Sequence, residues 1–324
     1  IILGFTPSGD CSLLITGRSS LNSNINETMG PREWVMVVGL SILWGGSFFL
    51  IELVIQDLLP LTIVLLRVSI AALALWVAVG MLGLSVPRNI RIWLAFFVMG
   101  LLNNVIPFSL IVAGQLYIAS GLAAILNATT PIFTIIVAGA LLSDERVTKA
   151  KLAGAGLGLI GVVVMIGPSA LKGIGENVFA QLAILGAALS YAFAFVFGRR
   201  FKDTGLSPVT TAAGQVSAST ILLLPVVFYF QNPIALIELP LIGWASIAAL
   251  GLLSTALAYI LFFGILARAG TTNAALVTLL IPIWAILLGS LVLEEVLQPI
   301  HFIGMSLIGL GLATIDGRMF RRKT

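Results

Sequence analysis

Ten apolar segments, each about as long as a lipid bilayer is thick, constrain this sequence more than any other feature. They occupy residues 34–55, 61–83, 92–111, 118–142, 152–167, 178–197, 209–230, 241–266, 274–293 and 300–316. A membrane-spanning helix needs about 20 mainly apolar residues. Only 9% of the 324 residues are charged, whereas soluble domains carry about 25%. We therefore predict an all-α membrane protein with ten transmembrane helices, surrounded by the lipid bilayer.

The basic residues indicate how these helices are oriented. Apart from Arg18 near the start and Arg67 inside a segment, Lys and Arg fall in alternate loops, and the opposite loops hold only Lys172. Loops rich in Lys and Arg remain on the cytoplasmic side. This distribution predicts that both termini are cytoplasmic and that the protein lies in the inner (plasma) membrane. It also explains the basic pI without a nucleic-acid surface.

The two ends of the chain read differently from the apolar segments. Residues 1–28 lack an initial Met and are rich in Ser and Asn, so we expect a non-native or disordered stretch and a natural start at Met29. Residues 317–324 form a short basic tail, which we expect in the cytoplasm.

The two halves of the sequence resemble each other. GLAAILNATTPIFT (121–134) matches TTNAALVTLLIPIW (271–284), and each is followed by a Gly-rich segment, residues 154–166 and 304–315. Five spans per half is an odd number, so the halves enter the membrane in opposite directions, as in many transporters. We predict two inverted five-helix repeats, residues 34–167 and 178–316. Gene duplication without transport is the alternative explanation.

The order of these pieces resembles the EamA family of the drug/metabolite transporter superfamily. The resemblance rests on WGGSFF (44–49), the position of Arg67, LNATTPIFT (126–134), LLIPIWAIL (279–287), and the acidic ends of the fourth and ninth spans. It implies a ten-helix carrier of two inverted repeats, of a kind that often exports amino acids or other metabolites. The resemblance does not name the substrate.

Two ionisable residues lie inside the predicted spans, where each costs about 2.5–3.5 kcal/mol. Glu52 and Arg67 are both near the outer ends of consecutive spans, so they could pair. One interpretation is an outer gate or a contact to a charged substrate, with Glu52 as a candidate proton-coupling group. The other is an interfacial ion pair that locks the two helices and reaches toward water.

Uncharged polar and aromatic residues lie deeper in the spans and are typical of a small-molecule cavity. The candidate cavity residues are Trp44, Asn103, Asn104, Asn127, Thr130, Tyr191, Ser254, Thr255, Tyr259, Thr278 and Trp284. Pro131 and Pro282 are expected to bend their helices and to free backbone carbonyls, which is tolerated where a helix lines a cavity. Hydrogen bonding and packing between helices is the alternative role of this set. No charged cluster is expected at the midplane, which suits a neutral, zwitterionic or amphipathic solute.

The segment GAGLGLIGVVV (154–164) contains G-x-G-x-x-G, a dinucleotide-binding pattern. That pattern needs a preceding strand in a soluble βαβ unit, whereas these glycines lie in a predicted span. Gly154, Gly158 and Gly161 share one helical face, and Gly304 and Gly311 form a similar face in the tenth span. We predict that both faces serve close helix packing, between the halves or between the protomers of a homodimer.

No catalytic or metal-binding motif is visible, and the chain has one Cys and one His. We therefore expect no enzyme activity, no cofactor, no metal and no nucleic-acid partner. The predicted function is a secondary transporter that exports a small organic metabolite by alternating access, with protons as a candidate coupling ion. The alternatives are a lipid-linked sugar flippase, a compatible-solute importer on the same fold, or a non-transporting membrane receptor.

Overall fold

The computed structural model describes residues 29–118, 120–167, 171, 174–230, 239–292 and 299–316, and all regular structure in these ranges is helical. The predictions for residues 1–28 and 317–324 and for the acidic end of the ninth span, Glu294 and Glu295, lie outside the described residues.

The helices occupy the predicted apolar segments in order. They are α1 (Pro31–Glu52), α2 (Pro60–Met81), α3 (Ile90–Gly100), α4 (Ile106–Gln115), α5 (Ser120–Asn127), α6 (Thr130–Leu141), α7 (Lys149–Ile166), α8 (Val178–Gly198), α9 (Pro208–Phe230), α10 (Leu241–Gly251), α11 (Ala258–Ala275), α12 (Val277–Val292) and α13 (Pro299–Asp316). A π-helical segment, Leu101–Val105, joins α3 to α4, and a second, Leu252–Leu257, joins α10 to α11.

The lengths of these helices suit a membrane. Within the described residues, eight helical stretches are long and apolar enough to cross a bilayer, and Pro299–Ile315 is a shorter apolar helix. α12 is also apolar but has only 16 residues. That each of the ten segments crosses the membrane, and that both termini are cytoplasmic, remain predictions.

Large apolar side chains cover much of the outer surface. Phe179, Leu241 and Met81 are more than four-fifths exposed. A contiguous exposed apolar surface of this kind would aggregate in water. It is the surface expected of helices whose outer faces contact lipid acyl chains.

The Gly-rich helices α7 and α13 pack directly on each other. A Cβ atom added to Gly154 would lie 2.7 Å from the Gly311 carbonyl oxygen, and one added to Gly161 would lie 2.8 Å from the Gly304 carbonyl oxygen. The low-numbered glycine of one helix therefore faces the high-numbered glycine of the other, so the two helices run antiparallel. Because they are the fifth helices of the two repeats, this contact joins the halves and gives their equivalent helices opposite directions.

The glycines of this interface differ in how closely they are confined. Gly158 faces the flexible side chain of Leu279, with the nearest atom 2.8 Å from an added Cβ. Gly161 and Gly304 instead face backbone, which cannot move aside. Gly161 is therefore a more restrictive position than Gly158.

The π-helical segments occupy equivalent places in the two halves. Gly100 precedes the first segment and packs on α9, because an added Cβ would lie 2.8 Å from the Gln215 carbonyl oxygen. Gly251 precedes the second and packs on α2, where an added Cβ would lie 3.2 Å from the Arg67 carbonyl oxygen. Each half thus places its π-helical segment against the second helix of the other half, as a pseudo-two-fold axis requires.

The fourth span is broken rather than bent. α5 ends at Asn127 and α6 begins at Thr130, so Pro131 lies in the first turn of α6. Proline cannot donate a hydrogen bond to the residue four positions earlier, and the Asn127 carbonyl instead accepts one from the Thr130 hydroxyl at 2.6 Å. In the other half, Pro282 lies inside the continuous helix α12.

Candidate substrate pocket and central polar network

A pocket lies between the two halves near the centre of the molecule. It has an empty volume of about 520 Å³, a figure that includes the open space at its mouth. Its wall consists of Trp44, Ser47, Phe48, Ile51, Arg67, Phe108, Ile111, Val112, Asn127, Tyr191, Phe195, Thr278 and Ile281.

Four of the predicted cavity residues line this pocket. They are Trp44, Asn127, Tyr191 and Thr278. The repeat pattern makes Asn127 and Thr278 equivalents, so each half contributes one polar residue from just beside a helix interruption. Trp44 and Tyr191 form aromatic parts of the wall, and Tyr191 packs on Phe195 with ring centroids 6.1 Å apart.

Arg67 also lines the pocket, a position that suits a substrate contact, one of the roles considered for it from the sequence. Its side chain is buried, its Nε donates to the Thr255 hydroxyl at 2.7 Å, and a terminal nitrogen donates to the Ser254 carbonyl at 3.1 Å. The guanidinium also lies 3.9 Å from the centroid of the Phe108 ring. One cation therefore lies in the pocket wall, and the described wall residues hold no second charge.

The predicted pair between Glu52 and Arg67 does not form in the structure. Glu52 is the last residue of α1 and is exposed to the surroundings, whereas Arg67 points inward to the second π-helical segment. Arg199 and Arg268 form ion pairs with Asp144, Glu145 and Glu33, away from Glu52 and Arg67. A structural lock between Glu52 and Arg67 is thus absent from this conformation.

Asn103 and Asn104 belong to a buried polar network beside the pocket, not to its wall. Asn103 donates to the Gln215 side-chain oxygen at 3.2 Å, and Asn104 donates to the Ser219 hydroxyl at 2.7 Å. The Tyr259 hydroxyl donates toward the Asn104 side-chain oxygen and the Asn103 carbonyl. That carbonyl is free because the residue four positions later is a proline, Pro107.

The other predicted cavity residues also serve packing in this conformation. Ser254 donates to the Leu43 carbonyl at 2.8 Å, and Thr255 donates to the Leu250 carbonyl at 2.7 Å while accepting from Arg67. Thr130 caps the break in the fourth span, and Trp284 is half-buried but does not line the pocket.

The two halves use this network reciprocally. Arg67 on α2 contacts the second π-helical segment, and its repeat equivalent Gln215 on α9 contacts the first. A π-helical turn leaves backbone and side-chain groups outside the regular ladder, and such turns are frequent at functional sites. The two halves therefore make equivalent contacts, and only the contact made by Arg67 involves a charged side chain.

A second polar cluster closes the end of the bundle near residues 144, 199 and 271. The Glu145 carboxylate accepts hydrogen bonds from the backbone amides of Thr271 and Thr272, the first at 2.8 Å, and from the Thr272 hydroxyl. These amides are available because Gly270 has a φ of 80°, which interrupts α11 before them. Arg199 lies 3.5 Å from Glu145. The end of the fourth span is thus tied to the start of the ninth.

Asp144 completes this cluster from a more exposed position. Its carboxylate makes a two-point contact with the Arg199 guanidinium. The hydrogen bonds from Arg199 hold the pKa of Asp144 below its ordinary value. Because the pKa is lowered, the ion pair is fully formed at neutral pH. The pair weakens only as the pH falls below the ordinary Asp pKa of about 3.9. The contact therefore does not act as a switch near neutral pH.

Metal-ligating side chains do not gather anywhere in the described ranges, because no group of three or more His, Cys, Asp or Glu residues occurs there.

The sequence matches a family model over nearly all of its helical part. The EamA-like transporter family model matches residues 32–167 and again residues 178–315. The chain belongs to the EamA-like transporter family. It is therefore a multi-pass membrane transporter, and the family model matches once in each half of the chain.

Relatives of this EamA transporter agree with that assignment. A protein of Archaeoglobus fulgidus named "Uncharacterized transporter" is 27% identical over 286 residues, with 87% of this chain and 97% of the relative covered. A protein of Escherichia coli (strain K12) named "Probable amino-acid metabolite efflux pump" is 25% identical, with 88% and 94% covered. A protein crystal structure, 19% identical, matches with a TM-score of 0.72 over 90% of this chain and 99% of the other, which shows a shared fold.

Some features of this EamA transporter were not predicted from its sequence, although one of them has a sequence signal. The run Gly-Leu-Leu occurs at residues 100–102 and again at 251–253, in each case at the start of a π-helical segment. The polar pairs that follow were identified, but their π-helical geometry was not. Apolar wall residues such as Phe48 and Ile281 carry no sequence signal that separates them from ordinary helix packing.

Tyr259 offers a direct test of the polar network in this EamA transporter. Replacing it with Phe leaves the Asn104 side-chain oxygen and the Asn103 carbonyl without their donor. Interhelical hydrogen bonds in membranes contribute about 0.6 kcal/mol on average and up to about 1.7. We expect a free energy of unfolding lowered by roughly 1 kcal/mol in purified protein. The exposed Tyr117, replaced in the same way, is the control and should show no change.

Proposed function

We propose that this protein is an inner-membrane secondary transporter that exports small organic metabolites, amino acids or related solutes, by alternating access. The observation that carries the proposal is the pocket at the junction of the halves. It is lined by helices of both repeats, and the Glu145 cluster ties the fourth span to the start of the ninth away from the pocket wall. A relative named as an amino-acid metabolite efflux pump supports this choice of solute.

The position of the pocket favours a conformation open toward the periplasm. Its wall extends to Ile51 at the end of α1 and to Val112 near the end of α4. With cytoplasmic termini, both positions are on the outer side. The opposite end is held shut by Glu145 on the Thr271 and Thr272 amides. Rocking of one half against the other around the central pocket would open the second side.

A separate proposal concerns how transport is coupled to protons. Glu52 is exposed at the end of α1 and remains our candidate for proton coupling. A Glu52→Gln variant should lose the pH dependence of transport if Glu52 carries the proton, and an unchanged pH profile would reject that role.

Homodimer formation stays a separate proposal, because the α7–α13 face that first suggested it is occupied within one chain.

Counterflow in proteoliposomes tests the proposed function. Purified full-length protein is reconstituted with a high internal concentration of each member of an amino-acid panel, and uptake of the labelled solute is followed. A transporter gives transient, saturable accumulation of at least one solute. Binding without accumulation for every solute would instead support the receptor alternative, and accumulation of glycosylated lipids alone would support a flippase.

A further inference from the structure

Two polar groups in the pocket wall have hydrogen-bonding capacity that the protein does not use. Within the described residues, no carboxylate pairs with the buried Arg67. The Asn127 side-chain oxygen is buried and accepts no hydrogen bond in the structure. Unpaired buried cations and unsatisfied buried acceptors both cost free energy. Both groups line the same cavity, so a bound solute can satisfy both.

Arg67 is held in place by neutral groups. The Thr255 hydroxyl and the Ser254 carbonyl accept hydrogen bonds from it, and the Phe108 ring contacts its face. These contacts orient the guanidinium without neutralising its charge. A planar guanidinium with free donors matches the geometry of a carboxylate. The wall therefore presents a prearranged site for one carboxylate.

Asn127 supplies the opposite kind of group. It ends α5 at the break in the fourth span, its side-chain oxygen has no hydrogen-bond donor, and its own carbonyl is already satisfied by Thr130. An amide oxygen accepts hydrogen bonds and therefore suits an ammonium or amine. The Thr278 hydroxyl, from the equivalent position in the other half, donates to the Ala275 carbonyl and keeps its oxygen free to accept as well.

The rest of the described wall disfavours a charged side chain on the solute. Among the described residues it is built mainly from aromatic and aliphatic side chains, such as Trp44, Phe48, Phe195 and Ile281, and none of these described lining residues is acidic. A cationic side chain would lack a counter-ion there, and an acidic side chain would compete with the main carboxylate for Arg67. An uncharged, apolar side chain fits this surface.

We propose that Arg67 is the carboxylate subsite and Asn127 the ammonium subsite of the pocket. The solute is then a zwitterion with a free carboxylate, a free amine and an apolar side chain. This inference rests on the proposed function, because it assigns chemistry to the transport pocket.

Binding of L-phenylalanine and its blocked analogues to the wild-type protein provides the first test. L-phenylalaninamide lacks the carboxylate and N-acetyl-L-phenylalanine lacks the amine. We expect L-phenylalanine to raise the melting temperature, and each analogue to bind at least about tenfold more weakly. Equal binding of L-phenylalanine and its amide, or no binding of L-phenylalanine at all, would overturn the proposal. This arm needs no variant and so cannot fail through misfolding.

Variants assign each end of the solute to its residue. Arg67→Gln should weaken binding of L-phenylalanine at least about tenfold, and Arg67→Lys should restore part of it by keeping the charge. The Asn127→Leu variant should bind N-acetyl-L-phenylalanine and L-phenylalanine with equal affinity, because the acceptor for the ammonium group is gone. The controls are the exposed Arg91→Gln and the buried Thr134→Val, neither of which touches the pocket.

The outcomes separate this inference from the proposed function. Counterflow of L-phenylalaninamide as fast as L-phenylalanine would overturn the subsites while leaving transport intact. Carboxylate-dependent binding without counterflow of any solute would support the subsites and reject transport. Wild-type affinity in Arg67→Gln would overturn the carboxylate assignment.

Discussion

Replacing Gly161 with leucine is expected to destabilise the folded protein strongly. A Cβ at this position would lie 2.7 Å from the Ile308 backbone nitrogen and 2.8 Å from the Gly304 carbonyl oxygen. Overpacking a core usually costs about 1–3 kcal/mol, and here the opposing atoms are backbone, so α7 and α13 must separate. We expect less monodisperse protein on size-exclusion chromatography and a melting temperature lower by roughly 6–12 °C, for a loss on the order of 3 kcal/mol.

Gly156 provides a matched control on the same helix. An added Cβ there meets nothing within 4 Å, so Gly156→Leu should purify and melt like the wild type. Gly158→Leu should give an intermediate result, because the Leu279 side chain can rotate away. Wild-type yield and stability in Gly161→Leu would show that α7 and α13 do not pack as the structure has them.

Replacing Glu145 with alanine is expected to reduce transport strongly while the protein remains folded. The variant loses three hydrogen bonds to residues 271 and 272 and the contact with Arg199. Hydrogen bonds to charged groups contribute about 1.5–3 kcal/mol each, so the closed end is destabilised relative to the opposite conformation. We expect a counterflow rate at least about tenfold lower, with the affinity of binding largely retained.

The variants Asp144→Asn and Glu145→Gln serve as the comparisons for that experiment. Asp144 is more than half exposed and contacts only Arg199 in this cluster, so Asp144→Asn should have a small effect. Glu145→Gln keeps an oxygen for the amides but loses the charge, and it should fall between Glu145→Ala and the wild type. If Glu145→Ala transports at the wild-type rate, the cluster does not control the opening of this end.

The helical framework was predictable because it depends on local composition and on repeated patterns. Apolar length predicted the positions of the helices, and the glycine spacing at 154, 158 and 161 predicted a packing face. The antiparallel contact between α7 and α13 follows from the odd number of helices per repeat. These features are determined by hydrophobicity and backbone sterics, which can be read over short windows of sequence.

The partners of individual polar residues were less predictable, because they depend on which helices meet. Arg67 and Glu52 are close in sequence and have opposite charges, yet Arg67 contacts Thr255, 188 residues away. Asn103 was expected in the cavity wall, but Gln215 holds its side chain beside the pocket. Asn127, beside the helix break, was predicted to line a cavity and lies in the pocket wall, whereas Thr130 on the other side of the break does not.

Labelling of Ser47→Cys in a Cys11→Ser background tests the central claim that this pocket is the substrate site and opens alternately to the two sides. Ser47 lines the pocket and differs from cysteine by one atom. A membrane-impermeant maleimide applied from the periplasmic side should label it, and a solute that passes the counterflow test should slow that labelling. Glu145→Ala should slow it further, because it favours the opposite conformation. Labelling that neither the transported solute nor Glu145→Ala changes would contradict the account.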